Sequence, residues 1–394
     1  MRILIWRQWA PLYRLPATYS TLDSQSIGGT CTQMLSHARL LREDGHSIQV
    51  LGATPEDRSE LGIEFVGSRC RTDQERLLHS EKIDRPDLIL LEGAHSGAPL
   101  FRELFPRSCI VHVGQNIDHY GTKAALRQSE SIDYYAAVGV GQHALLATRF
   151  PAIRQKLVML RNCVPQTAFA QQAVSPVEPG LVLWVGNWNK AGLRKWTEVM
   201  ARVLSRMPRV RWILAGPSYG LENNLPDHLG AGLSIPKDRV EYVSVPPSRM
   251  PELISRAQVV LTSLGNECGP ISILDAHAAG RPTISGTDLV YFYANPPGIG
   301  LRVRQLAGME RALTCLLESP SLCDRLGRAG RKFVIDNYTE HQQRTDLNAI
   351  MELASLRLDG FDVRGEKACD YWGDRIDLIE EKVRRRARRW FRRV

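Results

Sequence analysis

The feature that most constrains this chain is an alternation repeated in two series. Short apolar runs alternate with longer amphipathic stretches on both sides of a proline-bearing gap. A parallel strand is covered on both faces and reads as a nearly unbroken Val/Ile/Leu run, whereas the helix that returns the chain is apolar along one stripe only. The pattern therefore predicts layered α/β units with parallel sheets. Runs at 2–5, 47–51, 87–91, 110–113, 136–140 and 157–160 predict the strands of a first sheet. Runs at 181–185, 210–215, 240–245, 259–264 and 283–285 predict those of a second. Helices fit at 192–207, 249–256 and 271–279, and the chain reads as helical almost to its end after about Arg304.

A further helix follows Gly28-Gly29, with Thr30 or Thr32 as its expected cap and Met34, Leu35, Ala38, Leu40 and Leu41 as its apolar stripe. Gly45 is its expected stop. Residues 164–180 carry three prolines and no helical or strand period, which marks a connection. The fold class is thus α/β, with two doubly wound, Rossmann-like domains facing across a cleft. The expected pieces are an N-terminal domain over 1–168, a linker over 169–180 and a C-terminal domain over 181–336. A helix over 337–358 crosses back to the first domain, and 359–394 forms a basic tail. In such sheets ligands sit beyond the carboxyl ends of the strands.

Composition narrows the function. The eight cysteines form no CxxC pair, so neither a zinc site nor a disulfide framework is expected, and the thiols read as reduced in a cytosolic protein. No apolar run is long enough to span a bilayer, and the opening residues lack a signal-peptide pattern. The net charge is +9, but residues 382–394 supply +8 of it, leaving a nearly neutral body. In that tail Trp372, Ile376, Ile379, Val383, Ala387, Trp390 and Val394 recur at helical spacing. Arg384, Arg385, Arg388 and Arg389 flank the stripe, and Trp390 and Phe391 stand at one end. Such a helix suits an anionic membrane surface rather than nucleic acid.

The stretch with most chemistry runs from Ser263 to Pro282. Glu267 follows an apolar strand, Gly269 permits close backbone approach, and Pro270 suits a first helical turn. The free N–H groups of that turn, beginning at Ile271, can hold phosphate oxygens, and Asp275 lies one turn further on. A carboxylate pair around an anion-binding helix start suits a sugar–diphosphate–ribose ligand.

This stretch resembles the E-x7-E region of the family 4 retaining glycosyltransferases of the GT-B fold. Other stretches match in the same order. They are Gly28-Gly29, Asp44-Gly45-His46, Arg85-Pro86-Asp87, Arg161-Asn162-Cys163-Val164-Pro165 with Phe169, Val185-Gly186, Gly216 after its apolar strand, and Asn337-Tyr338-Thr339. The resemblance covers about residues 1–350. It implies that Glu267 contacts the donor sugar and Asp275 the ribose, with Gly269, Pro270 and Ile271 against sugar and diphosphate. Gly28 and Gly29 would approach the donor, and Gly216 the nucleotide.

The sequence departs from the pattern at three places. Asp275 is one methylene shorter than the usual Glu, and Asn187 replaces the usual Arg. Lys190 is then the expected cation for the leaving diphosphate, with Arg194 or Lys195 as alternatives. Gln115 stands where a histidine is common, with His119, His112 and His95 as alternatives. The implied activity moves a sugar from a nucleoside-diphosphate sugar, as co-substrate, to a glycan or lipid-linked acceptor, without cofactor or metal. The expected setting is cytoplasmic, peripheral at the inner face of the membrane. A nucleotide-sugar epimerase on the same fold and a catalytically weak nucleotide-sugar-binding scaffold are the alternatives.

Overall fold

In the computed structural model the described residues are 1–7, 29–52, 56–68, 78, 81–92, 97–115, 128–165, 176–186, 192–216, 235–246, 248–265, 270–287 and 289–359. They fall into two compact units, one of residues 1–7, 29–162 and 341–359, the other of residues 163–340.

The first unit holds β1 (Arg2–Arg7), α1 (Gly29–Glu43), β2 (Ser47–Leu51), β3 (Arg58–Glu60), β4 (Ile63–Val66) and β5 (Leu88–Glu92). It continues with α2 (Ala98–Leu104), β6 (Cys109–Gly114), β7 (Tyr134–Ala137), α3 (Val140–Arg149) and β8 (Leu157–Met159). The strand order is β3-β4-β2-β1-β5-β6-β7-β8. Only the short β3–β4 pair is antiparallel; the other pairings run parallel. The central strands β5 and β6 are buried along their whole length, as covering on both faces requires.

Helix α1 begins at Gly29, so Thr30 and Thr32 lie inside it and neither is its cap. Its stripe is buried as expected, from Met34 and Ala38 at 0% exposed to Leu35 at 6%. It ends as the sequence suggests. Gly45 adopts φ +87°, its N–H bonds the Arg42 carbonyl at 3.0 Å, and the His46 N–H bonds the Leu41 carbonyl at 3.1 Å. That is the left-handed glycine closure of a helix.

The strand expected at 136–140 is displaced. It runs over Tyr134–Ala137, and Val140 opens α3. The buried Gln142 side chain accepts from the Val138 N–H at 2.7 Å and donates to the Gly114 carbonyl at 2.6 Å, so a side chain takes over the pairing where the strand stops.

The second unit holds β9 (Leu181–Val185), α4 (Leu193–Arg206), β10 (Arg211–Ala215), β11 (Val240–Val243), α5 (Met250–Arg256) and β12 (Val259–Leu261). It continues with α6 (Ile271–Ala278), β13 (Thr283–Ser285), α7 (Leu289–Ala294), β14 (Leu301–Arg302), α8 (Leu306–Glu318) and α9 (Pro320–Asn337). Its order is β11-β10-β9-β12-β13-β14, with parallel pairings throughout. The strand expected at 259–264 ends at Leu261, because the chain turns away to reach α6.

One face of this sheet is sealed by α4, whose Trp196, Val199, Met200, Val203 and Leu204 join Trp184 and Trp212 in the core. The Trp196 indole donates to the Thr262 carbonyl at 3.0 Å and so ties α4 to the end of β12. Across from it, α9 packs on α6 with glycines at the contact. A Cβ at Gly330 would stand 2.5 Å from the His277 ring, and one at Gly327 would overlap the Gly280 carbonyl.

From α9 the chain passes into α10 (Glu340–Leu358), which packs on the first unit. A buried ion pair holds it there. The Asp346 carboxylate accepts from the Arg161 N–H at 3.0 Å and from its guanidinium at 2.7 and 2.5 Å, with side chains 0% and 7% exposed. Buried Gln343 adds bonds to the Arg161 carbonyl and to Gln33, and Ser36 donates to Gln343. Among the described residues no helix is long and apolar enough to cross a membrane.

Removing one half of a buried pair strands the other charge. Asp346→Ala is expected to lower stability by about 3–5 kcal/mol, read as a fall in the denaturant midpoint together with faster amide exchange in α10. An unchanged midpoint would show that the pair contributes nothing.

Candidate functional site

In each unit the first strand lies inside the sheet, and the chain builds outward from it in both directions. In the second unit β10 lies on one side of β9 and β12 on the other. The helices that follow β9 and β12, α4 and α6, pack into separate cores of the sheet, the arrangement that opens a crevice where a sheet reverses its growth. Of the residues singled out from the sequence, Gly216 follows β10, and Pro270, Ile271 and Asp275 stand at and just inside the start of α6.

Gly186 follows β9 and donates its N–H to the Ala215 carbonyl at 3.0 Å. Buried Gly216 follows β10, its N–H on the Val243 carbonyl at 3.1 Å. Beyond β12, Ser263 is 4% exposed and donates to the Gly265 carbonyl at 3.0 Å. Pro270 is buried and is itself the N-cap of α6, with φ −67° and ψ 91°. Its carbonyl takes the first bonds of the helix, from Ile273 at 3.0 Å and Leu274 at 3.3 Å. The N–H groups of Ile271 and Ser272 precede those bonds and point out of the helix start, which is an electropositive anion seat.

Asp275 stands one turn into α6, half-buried. Desolvation raises its pKa from the ordinary carboxylate value to about 7. A carboxyl held near neutrality is poised to gain charge when a polar ligand replaces lost water, and it accepts hydrogen bonds from hydroxyls best as the anion.

Other expected residues lie outside the described residues. These are Gly28, His95, His119, Asn187, Lys190, Glu267, Gly269 and the tail with Arg384, Arg385, Arg388, Arg389, Trp390 and Phe391. Gly29 is the first residue of α1. Arg194 and Lys195 are exposed on the first turn of α4, the helix that follows β9. That turn begins at Gly192, which has φ +91° and sits where a Cβ would strike the Leu264 side chain. Gln115 follows β6 in the first unit, half-buried, and accepts from the Asn162 amide at 3.5 Å. His112 is fully buried in β6 against the Tyr135 ring, 5.9 Å away between centroids. It is a core residue.

Two polar groups were not singled out from the sequence. Asn162 is 1% exposed and holds Gln115, although its Arg161-Asn162 stretch was noticed only for its resemblance. Asn295 is fully buried and donates to Ser285 at 2.9 Å and to the Leu301 carbonyl at 3.2 Å, closing the end of β13. No signal in the sequence marks Asn295. Elsewhere, a surface recess of about 480 Å³ lies beside α10, lined among others by Met1, His46, Asn348 and Glu352. It adjoins the amino end of β1.

The comparisons with solved structures bear on this arrangement. A sucrose-phosphate synthase from Thermosynechococcus elongatus aligns over 90% of this chain and 99% of its own, at 14% identity and a TM-score of 0.66. The chain has the GT-B fold. Anabaena HepE in complex with UDP-glucose aligns over 89% and 99%, at 12% identity and a TM-score of 0.64. WaaG, a glycosyltransferase of lipopolysaccharide biosynthesis, aligns over 88% and 99%, at 12% identity and a TM-score of 0.63. No protein-family model matches the chain, and no curated protein matches its sequence.

The raised pKa of Asp275 has a signed consequence. Between the ordinary carboxylate value and about 7 the unfolded chain has lost a proton that the folded protein keeps, so stability falls as pH rises across that window. Asp275→Asn removes the penalty. Its melting temperature is expected to match or trail the wild type at pH 4, overtake it by pH 7 and keep a constant lead above pH 8. A difference that does not change with pH would contradict the desolvated carboxyl.

Proposed function

We propose that this protein is a glycosyltransferase of the family 4 type that moves a sugar from a nucleoside-diphosphate sugar to a glycan or lipid-linked acceptor. The observation that carries the reading is the start of α6. A free-ended helix N-terminus and a desolvated carboxyl stand together at the chain-reversal point of the second sheet. One binds diphosphate oxygens and the other ribose hydroxyls. The GT-B fold shared with HepE and WaaG supports it.

In the proposed reaction the bond from the anomeric carbon to the diphosphate oxygen breaks as the acceptor oxygen bonds to the same face of that carbon. The acceptor's proton passes to the departing phosphate oxygen, and the configuration is retained. Glu267 orients the donor sugar, and Gly28, Gly29, Gly269, Pro270 and Ile271 bring backbone to its phosphates and sugar. Gly216 and Asn187 adjoin the nucleotide. The charge growing on the diphosphate falls to the α6 N-terminus and to Lys190, without a metal ion. Gln115 and His119 serve the acceptor side. The basic tail holds the protein on an anionic membrane surface at the cytoplasmic face, which favours a lipid-borne glycan as acceptor, as in cell-envelope polysaccharide or lipopolysaccharide synthesis.

The direct test is nucleoside-diphosphate release from a panel of nucleotide sugars, with and without membrane lipid extract. Release from one donor, raised by lipid and reduced at least 100-fold (on the order of an active-site hydrogen-bond loss) in Glu267→Ala, is the expected result. Donor binding without release under any condition would instead favour a non-catalytic nucleotide-sugar-binding partner. Affinity for the donor should rise with pH through about 7 and lose that dependence in Asp275→Asn. Removing residues 372–394 should release the protein from anionic liposomes; unchanged binding would sink the membrane assignment.

A further inference from the structure

The first sheet has its own chain-reversal point. Its first strand, β1, lies between β2 and β5, so the crevice of this unit opens at the carboxyl ends of β1 and β5. Glu92 is the last residue of β5, paired in register with Arg7 of β1 and Val113 of β6. Facing it from α1 is His37. The His37 Nδ1 and Glu92 Oε1 are 2.8 Å apart, and both side chains are 0% exposed. Among the described residues each keeps a buried polar atom without a hydrogen-bond partner, His37 Nε2 and Glu92 Oε2.

A fully buried His–Glu pair with two unmet polar atoms is a poor way to stabilise a core, since an apolar pair of similar volume costs less. What it adds is direction. Met34, Leu35, Ala38 and Leu41 press α1 onto the sheet, but apolar packing is non-directional and leaves the roll of the helix loosely set. The Gln33 and Ser36 bonds to Gln343 tie α1 to α10, and the short, fully buried His37–Glu92 bond is the one that fixes mid-helix to the end of β5.

Resting on the transferase reading, we infer that His37 and Glu92 are positioning residues. They fix α1, which begins at Gly29, relative to the carboxyl ends of β1 and β5. A misplacement of about 1 Å at a reacting centre costs up to a hundredfold in rate, so a modest roll of α1 has a kinetic consequence out of proportion to its effect on stability.

The test compares His37→Ala, Glu92→Ala, the double variant, the conservative Glu92→Gln, and Leu41→Ala as a control that weakens the same helix without touching the pair. In the free protein, amide exchange at residues 33–36 should quicken about tenfold in the alanine variants of the pair. In turnover with the donor found above, kcat should fall about tenfold with the donor KM within twofold. The double variant should be no worse than either single one. Glu92→Gln should restore at least half of kcat, and Leu41→Ala should keep kcat within twofold despite a lower melting temperature. Unchanged kcat in the alanine variants would overturn the inference, as would an equal loss in Leu41→Ala. If the wild type turns over no donor, the transferase reading fails on its own. The exchange measurement then decides the inference: quickened exchange confined to the pair variants upholds it, and unchanged exchange overturns it.

Discussion

Everything in this structure depends on where a parallel sheet reverses its direction of growth. In both units the chain lays down a strand, adds neighbours on one side, then crosses to the other side of the first strand. Right-handed crossovers then send adjacent loops to opposite faces and leave a gap at the carboxyl ends. Backbone N–H groups at the helix starts point into that gap. In the second unit the gap falls between β9 and β12, and α6 starts beside it. The rest of the unit holds α6 in place: α9 through its glycine contacts, the Arg331 guanidinium on the Ala278 carbonyl at 3.0 Å, and α4 through the Trp196 indole on Thr262.

Two electrostatic devices serve that position, and they differ in kind. The helix start is a fixed positive end that needs no proton and no reorganisation to meet a phosphate. Asp275 is adjustable, because desolvation keeps it near the point where ligand contacts can tip its charge. In the first unit the polar groups at the strand ends are instead tied to one another, Gln115 to Asn162 and His37 to Glu92.

How far the sequence revealed this follows from burial. The strands at 47–51, 181–185 and 283–285 stand where the apolar runs predicted them, because a strand covered on both faces has a run that starts and stops with its burial. The edge pair β3 and β4 escaped notice, since Arg58-Ser59-Glu60 is polar and the pair is short. Helices α2, α3 and α7, of seven, ten and six residues, also escaped notice. At 136–140 the apolar run continues through Gly139 into α3, so composition hides the break that the Gln142 side chain makes. The start of α6 was legible because Gly269, Pro270 and the strand before them punctuate the chain. The His37–Glu92 pair was not, because neither residue departs from what a solvated helix or a strand end would carry; only the sheet order brings them together.

The central claim is that the start of α6 is a diphosphate seat. It is tested most directly by a crystal structure of the protein with UDP, GDP or ADP, whichever binds tightest by calorimetry. The account predicts phosphate oxygens within hydrogen-bond distance of the Ile271 and Ser272 N–H groups and ribose hydroxyls on the Asp275 carboxylate. A diphosphate bound elsewhere, or a ribose turned away from Asp275, would contradict it.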